Sequence, residues 1–238
     1  MSQFFIVGAG CGDPGLITVK GMDLLKRADI LIYAGSLVNP VLVEASPAEQ
    51  KLDSSKMNLD EICGAIRTGI SEGKLVVRLH SGDPAIYGAI VEQMAVLARE
   101  GITAEIIPGV SSLFGAAAAL KTQFTLRGVS ESVIITRPAG ATLEYDRIRE
   151  FSRFGETLVI FLGTEKIHEI MERVECSQDT PAAVVYHASW DDQRIVKGTV
   201  ADIADKADAA GITKTALIII GEAVLGIESG FTHSHLYS

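Results

Sequence analysis

Four short apolar runs in the first half of the chain, at residues 4–7, 29–33, 75–79 and 104–107, alternate with helical-period segments at residues 16–28, 59–72, 87–99 and 111–120. A strand followed each time by a helix and a short connection returns alongside its predecessor in the same direction. The alternation therefore predicts an α/β fold with a mostly parallel N-terminal sheet. Two of these strands run into loops that share a Gly-Asp-Pro core, Gly8-Ala9-Gly10-Cys11-Gly12-Asp13-Pro14-Gly15 and His80-Ser81-Gly82-Asp83-Pro84-Ala85.

The first loop begins as a dinucleotide fingerprint and then breaks it. Gly8 and Gly10 stand where G-x-G-x-x-G needs them, but the third glycine position holds Asp13, whose carboxylate would face a pyrophosphate. Strand 29–33 also lacks the terminal acidic residue that holds a ribose. Glycines still let backbone approach a ligand closely, so these loops suit a small cofactor without phosphate, read by main-chain groups.

The second half is organised differently. Strands at 132–136, 157–162, 182–187 and 194–197 precede a helix at 200–209 and a β-branched strand at 216–220. Strands 182–187 and 194–197, joined by Ala188-Ser189-Trp190-Asp191-Asp192-Gln193, read as a hairpin, which makes this sheet mixed. Between the halves the periodicity lapses at residues 121–129, so the expected domains are 1–120 and 121–238.

With 238 residues, 47% hydrophobic and 21% charged, the chain has the makings of an ordinary folded core. It has no apolar run of the ~18–20 residues that would span a bilayer, and residues 1–7 lack the basic flank of a signal peptide. Cys11, Cys63 and Cys176 are odd in number and widely spaced, which fits reduced thiols. These features predict a cytoplasmic protein with no membrane partner and no bound metal. A net charge of −9 without a sustained basic run argues against nucleic acid as a partner. A small polyanion would need a local basic cluster, for which Arg78, His80 and Arg137 are the candidates; a solvated or salt-bridged surface position is the alternative for each. The tail 230–238 carries His233 and His235 without periodic context and reads as a loosely docked terminus.

Five segments, taken in order, resemble the tetrapyrrole methyltransferases: the Gly8–Pro14 loop, Tyr33-Ala34-Gly35-Ser36-Leu37-Val38, His80-Ser81-Gly82-Asp83-Pro84 with Tyr87-Gly88, Pro108-Gly109-Val110-Ser111-Ser112, and Val185-Tyr186-His187-Ala188-Ser189-Trp190. The likeness covers nearly the whole chain, and within the family it looks most similar to the precorrin-4 and cobalt-precorrin-4 C11-methyltransferases of cobalamin biosynthesis. It implies a two-domain fold with S-adenosylmethionine in a trough between domains, a tetrapyrrole substrate and a homodimer. Carried over by position, the cofactor contacts fall on Ser81, Gly82, Asp83, Ile86, Ser111, Ser112, Leu162, Tyr186, His187, Ala188 and Ala216. Leu162 reads equally well as core, and Ser111 and Ser112 as helix caps. The chain departs from the family at Cys11, where a proline is common, and at Ala34, where the uroporphyrinogen-III methyltransferases carry an acidic residue.

Methyl transfer of this kind is an in-line displacement in which alignment of the reactants supplies up to ~7–11 kcal/mol. Arg78, His80, Tyr87 and Arg137 are the residues proposed for the substrate. No His/Asp pair stands out as a catalyst; His80, Tyr87 and Asp83 are the nearest candidates, and the catalytic residue stays unassigned. Two alternatives remain open: the same fold acting on another precorrin carbon or on a different acceptor such as that of diphthine synthase, and a dinucleotide-dependent reductase or nucleotide-sensing module.

Overall fold

The structure, a computed structural model, describes residues 3–229. The chain divides into two compact units, residues 1–112 and 113–238.

In the first unit the elements are β1 (Phe4–Gly8), α1 (Val19–Leu25), β2 (Ile30–Tyr33), α2 (Pro40–Ala45), β3 (Gln50–Asp53), α3 (Leu59–Ser71), β4 (Val76–His80), α4 (Ile90–Ala98) and β5 (Ala104–Ile107). The five strands form one parallel sheet in the order β3-β2-β4-β1-β5. Alternate residues along a strand point to opposite faces, so the three central strands β1, β2 and β4 each feed two cores. Phe5, Val7, Leu31, Val77 and Leu79 pack with Leu24, Leu25 and Leu42 of α1 and α2. Phe4, Ile6, Ile30, Ile32 and Val76 pack on the other face with Ile62, Ile66, Ile90 and Leu97 of α3 and α4. Burial on both faces explains why these strands read as continuous apolar runs.

Three expected helices are clearly shorter than their sequence pattern, the segment 200–209 being helical only from Ile203. Residues 16–28 split because Asp13 caps a three-residue 3-10 turn, Pro14–Leu16; the chain is extended at Ile17 and Thr18, and the Thr18 side chain then caps α1 by accepting from Gly21 N. The segment 87–99 becomes helical only at Ile90, because Tyr87 and Ala89 hold left-handed φ of 55° and 50°.

The second unit contains most of α5 (Ser112–Leu120), then β6 (Val133–Thr136), α6 (Ile148–Phe151), β7 (Thr157–Ile160), α7 (Ile167–Arg173), β8 (Pro181–Tyr186), β9 (Arg194–Thr199), α8 (Ile203–Ala209) and β10 (Ala216–Ile220). Its sheet, ordered β6-β7-β10-β8-β9, is mixed: β6 and β7 are parallel, while β7–β10, β10–β8 and the β8–β9 hairpin are antiparallel. One face packs on α6, α7 and α8 through residues such as Ile160, Val184 and Ile218. The other face takes Leu113, Ala116 and Leu120 of α5. Those three contacts place α5 with the second unit, so the division falls ahead of the expected boundary at residue 120.

Candidate functional site

In a parallel sheet every strand ends at the same edge, and a crevice opens where neighbouring strands send their helices to opposite faces. Neighbouring strands meet that condition at β3/β2, at β2/β4 and at β1/β4; at this last place α1 follows β1 on one face and α4 follows β4 on the other. The two Gly-Asp-Pro loops flank it. They are paired through backbone, Gly10 N to Gly82 O at 3.2 Å and Gly82 N to Gly10 O at 2.8 Å, and Ala9 N donates to His80 O at 2.7 Å.

The glycines serve this loop packing. A Cβ on Gly109 would stand 2.3 Å from Gly82 O, and one on Gly8 would stand 2.6 Å from the Gly109 Cα. Gly82 itself has a φ of +60° that other residues rarely adopt, while its Cβ position meets nothing nearer than 3.6 Å. Asp83 binds the loops together: Oδ1 accepts from Ala85 N at 2.8 Å and Oδ2 from Gly109 N at 2.9 Å. Both carboxylate oxygens are thus engaged by backbone, which removes Asp83 as a candidate base.

His80 ends β4 with Nε2 2.9 Å from Gly88 O, tying the strand end to the loop before α4. Burial and the neighbouring Arg78 cation hold its pKa below the ordinary histidine value. Arg78 itself is 5% exposed, between Ile6 and Ile32 on the neighbouring strands. Its Nη1 reaches Ile32 O at 3.5 Å, its Nε has no hydrogen-bond partner among the described residues, and burial draws its pKa down to about 10. The surface position that was the alternative for Arg78 is therefore corrected: Arg78 is buried in the sheet, and so is not an exposed cation of the strand end. Tyr87 is 43% exposed on the same loop, Ser81 and Ile86 are partly exposed, and Ser111 is buried ahead of Ser112, the first residue of α5.

The second unit gathers its candidates at one end of its own sheet. Thr136, Ile160 and Tyr186 end β6, β7 and β8 there, and Ala216 begins β10, paired with Tyr186. Four non-glycine residues at this end hold left-handed φ: Leu162 at 55°, His187 at 47°, Ser189 at 69° and Thr215 at 58°. Such conformations cost about 1–3 kcal/mol each and persist where the surroundings impose them, often at functional sites. Leu162 is 67% exposed, which overturns the core alternative, whereas Ala188 and Ala216 are buried. Arg137 donates from Nη1 to Thr142 Oγ1 at 2.7 Å and from Nη2 to Thr142 O at 3.0 Å, and Lys166 Nζ donates to Ala139 O at 2.7 Å, so two cations hold the loop after β6.

One pair here escaped the sequence reading. His187 Nδ1 lies 2.8 and 3.0 Å from the two carboxylate oxygens of Asp192, and that contact holds the Asp192 carboxyl below its ordinary pKa. The imidazole is stacked against Tyr186, with ring centres 3.8 Å apart, and against Trp190 at 5.0 Å; Arg194 lies over Tyr186 at 4.4 Å. The signal available in the sequence was a histidine leaving a strand with an aspartate five residues on, inside a tight hairpin turn.

A phosphate ligand does not fit the first loop. Gly15 N, the amide a phosphate would use, is already taken by Asp13 Oδ1 at 2.7 Å, and only a three-residue 3-10 turn follows. Loop backbone and exposed apolar surface suit a small ligand that carries no phosphate. Among the described residues no three His, Cys, Asp or Glu side chains are grouped as a metal ion would require, and no helix is long and apolar enough to cross a membrane. Met1, Ser2 and the tail from Gly230, with His233 and His235, lie outside the described residues.

Residues 3–204 match the family model of the tetrapyrrole (corrin/porphyrin) methylases. The chain belongs to this family. It is 52% identical to a cobalt-precorrin-4 C(11)-methyltransferase of Methanocaldococcus jannaschii, over 93% of this chain and 88% of the relative. A uroporphyrinogen-III C-methyltransferase of the same organism is 30% identical, over 95% and 98%. Among solved structures, a cobalt-precorrin-4 methyltransferase of cobalamin biosynthesis aligns with a TM-score of 0.89 at 43% identity, covering 93% of this chain and 95% of that one. A uroporphyrin-III C-methyltransferase of Thermus thermophilus complexed with S-adenosylhomocysteine aligns with a TM-score of 0.76 at 28% identity, covering 93% and 92%.

Proposed function

We propose that this chain is an S-adenosylmethionine-dependent C-methyltransferase acting at C11 of precorrin-4 or cobalt-precorrin-4 in corrin-ring biosynthesis. The observation that carries the reading is the contrast between 52% and 30% identity to the two kinds of methylase within one organism. Ala34 supports it, standing where the resemblance gives the uroporphyrinogen-III enzymes an acidic residue.

The cofactor supplies an electrophilic methyl group when bound. Ser81, Gly82, Asp83, Ile86, Ser111 and Ser112 of the first unit, and Leu162, Tyr186, His187, Ala188 and Ala216 of the second, are proposed to hold it, largely through backbone. Asp83 acts in this reading as the brace that fixes loop geometry, since its oxygens hold Ala85 N and Gly109 N. Tyr87 and Arg137 are proposed for the substrate, with His80 fixing the Tyr87 loop through Gly88. Arg137 now hydrogen-bonds neutral oxygens of Thr142, and a carboxylate would draw it into stronger, charge-assisted bonds. The chain is further proposed to act as a cytoplasmic homodimer.

Isothermal titration with S-adenosylhomocysteine and with NADH tests the cofactor reading. Heat of binding with the first and none with the second is the expected result. Binding of NADH alone would return the chain to the dinucleotide alternative.

A further inference from the structure

We propose that His187 is the acid–base residue of the methyl transfer, receiving a pyrrole N–H proton on Nε2, and that Asp192 is the residue that positions it. The proposal rests on the methyltransferase reading above.

The tautomer follows from the contacts. A carboxylate accepts hydrogen bonds, so Asp192 holds the proton on His187 Nδ1 and leaves the Nε2 lone pair as the basic site. Among the described residues Nε2 has no hydrogen-bond partner, so the nitrogen is unspent, and the side chain as a whole retains 19% exposure. Ring orientation is restrained by stacking against Tyr186 and Trp190, and Trp190 N donates to His187 O at 2.9 Å. The charged groups around the ring are Asp192 at Nδ1 and the Arg194 guanidinium beyond Tyr186. This is the arrangement of an oriented base, a histidine fixed by a third group, at a backbone held in a left-handed conformation.

The other candidates are committed elsewhere. His80 Nε2 is engaged by Gly88 O, and both Asp83 oxygens are engaged by backbone amides. His187 also leaves the same sheet end that carries Leu162 and Ala216.

The reaction requires one proton acceptor. The macrocycle carbon forms its bond to the methyl carbon as the methyl–sulfur bond breaks with its electron pair on sulfur. The positive charge thereby left on the macrocycle is discharged when a pyrrole N–H gives its proton to Nε2, from which it passes to water.

The test uses the full chain and the variants His187→Asn and Asp192→Asn. Asparagine tolerates the left-handed backbone at 187 and cannot take up the proton. With precorrin-4 as substrate, His187→Asn is expected to lower kcat about a hundredfold, with KM for precorrin-4 unchanged. Asp192→Asn is expected to lower kcat about tenfold or more at constant KM. Nitrogen-15 NMR of the ligand-free protein supplies a readout independent of turnover: the wild type shows His187 protonated on Nδ1 only, and Asp192→Asn populates the other tautomer. Full kcat in His187→Asn, or a wild-type spectrum with the proton on Nε2, overturns the proposal while leaving the methyltransferase reading intact. If the wild-type chain itself transfers no methyl group, that reading fails, and the proposal fails with it.

Discussion

Asp83 and Asp192 occupy similar places, each in the loop that follows a strand, and do opposite things. Asp83 spends both oxygens on amides of its own unit and welds two loops together; Asp192 spends its oxygens on an imidazole and leaves that imidazole a free nitrogen. The loops around Asp83 are as dense as backbone allows, with Gly8, Gly82 and Gly109 in contact, whereas the turn around Asp192 is built from strained residues and stacked rings. A polar residue in a loop is therefore defined by where its hydrogen bonds go. The first unit offers a rigid backbone surface, and the second offers side-chain chemistry.

The largest expected effect comes from the dense side. Gly109→Ala puts a Cβ 2.3 Å from Gly82 O and 2.8 Å from Gly8 Cα, both backbone atoms that cannot step aside. It should cost about 3 kcal/mol or more, read as a fall in Tm or loss of soluble protein. Gly140→Ala in the second unit, with nothing within 4 Å of the new Cβ, should leave Tm within error. Equal Tm for both variants would break the contrast.

Next in size is the carboxylate pair itself. Asp83→Asn keeps one acceptor oxygen and strands Ala85 N or Gly109 N, a loss of about 1–3 kcal/mol by chemical denaturation. Asp192 is exposed, and Asp192→Asn should change stability by less than about 0.5 kcal/mol. A larger stability loss at Asp192 than at Asp83 would reverse the assignment of brace and positioning residue.

The smallest effect is a pH dependence. His80 has a folded pKa below its unfolded value near 6.5, so the unfolded chain binds more protons between the two values. Its contribution to stability is present above the unfolded value and is lost as pH falls through the lower folded one. Thermal melts of wild type against His80→Gln should converge as pH is lowered from 7.5 toward 5. His168, paired with exposed Asp208, shifts the other way and is common to both proteins, so the difference isolates His80. A gap that widens on acidification would contradict this sign.

Much of this fold was legible in the chain. The central strands of the first sheet, β1, β2 and β4, announce themselves because burial on both faces demands continuous apolar runs, and β8–β9 because a turn-rich segment separates two β-branched ones. β3 went unread because Gln50-Lys51-Leu52-Asp53 is a partly exposed edge strand without an apolar run. The helix α7 was missed as well, and nothing at its N-terminus marks it, since Lys166 makes no side-chain cap. Within the site, the Gly-Asp-Pro loops were legible as loops, but the engagement of Asp83 and the burial of Arg78 depend on contacts between distant strands. Leu162 read as one more strand residue because its left-handed φ leaves no mark on its own identity. Asp192 was hidden among turn residues, where an aspartate is ordinary.

The central claim is that this chain methylates C11 of precorrin-4. Incubation with precorrin-4 and with cobalt-precorrin-4, using S-adenosylmethionine carrying a carbon-13 methyl group, followed by two-dimensional NMR of the isolated tetrapyrrole, locates the transferred carbon directly. The account predicts a single labelled methyl signal correlated to C11 with at least one of the two substrates. A labelled methyl on any other ring carbon, or unlabelled tetrapyrrole recovered from both incubations, would contradict it.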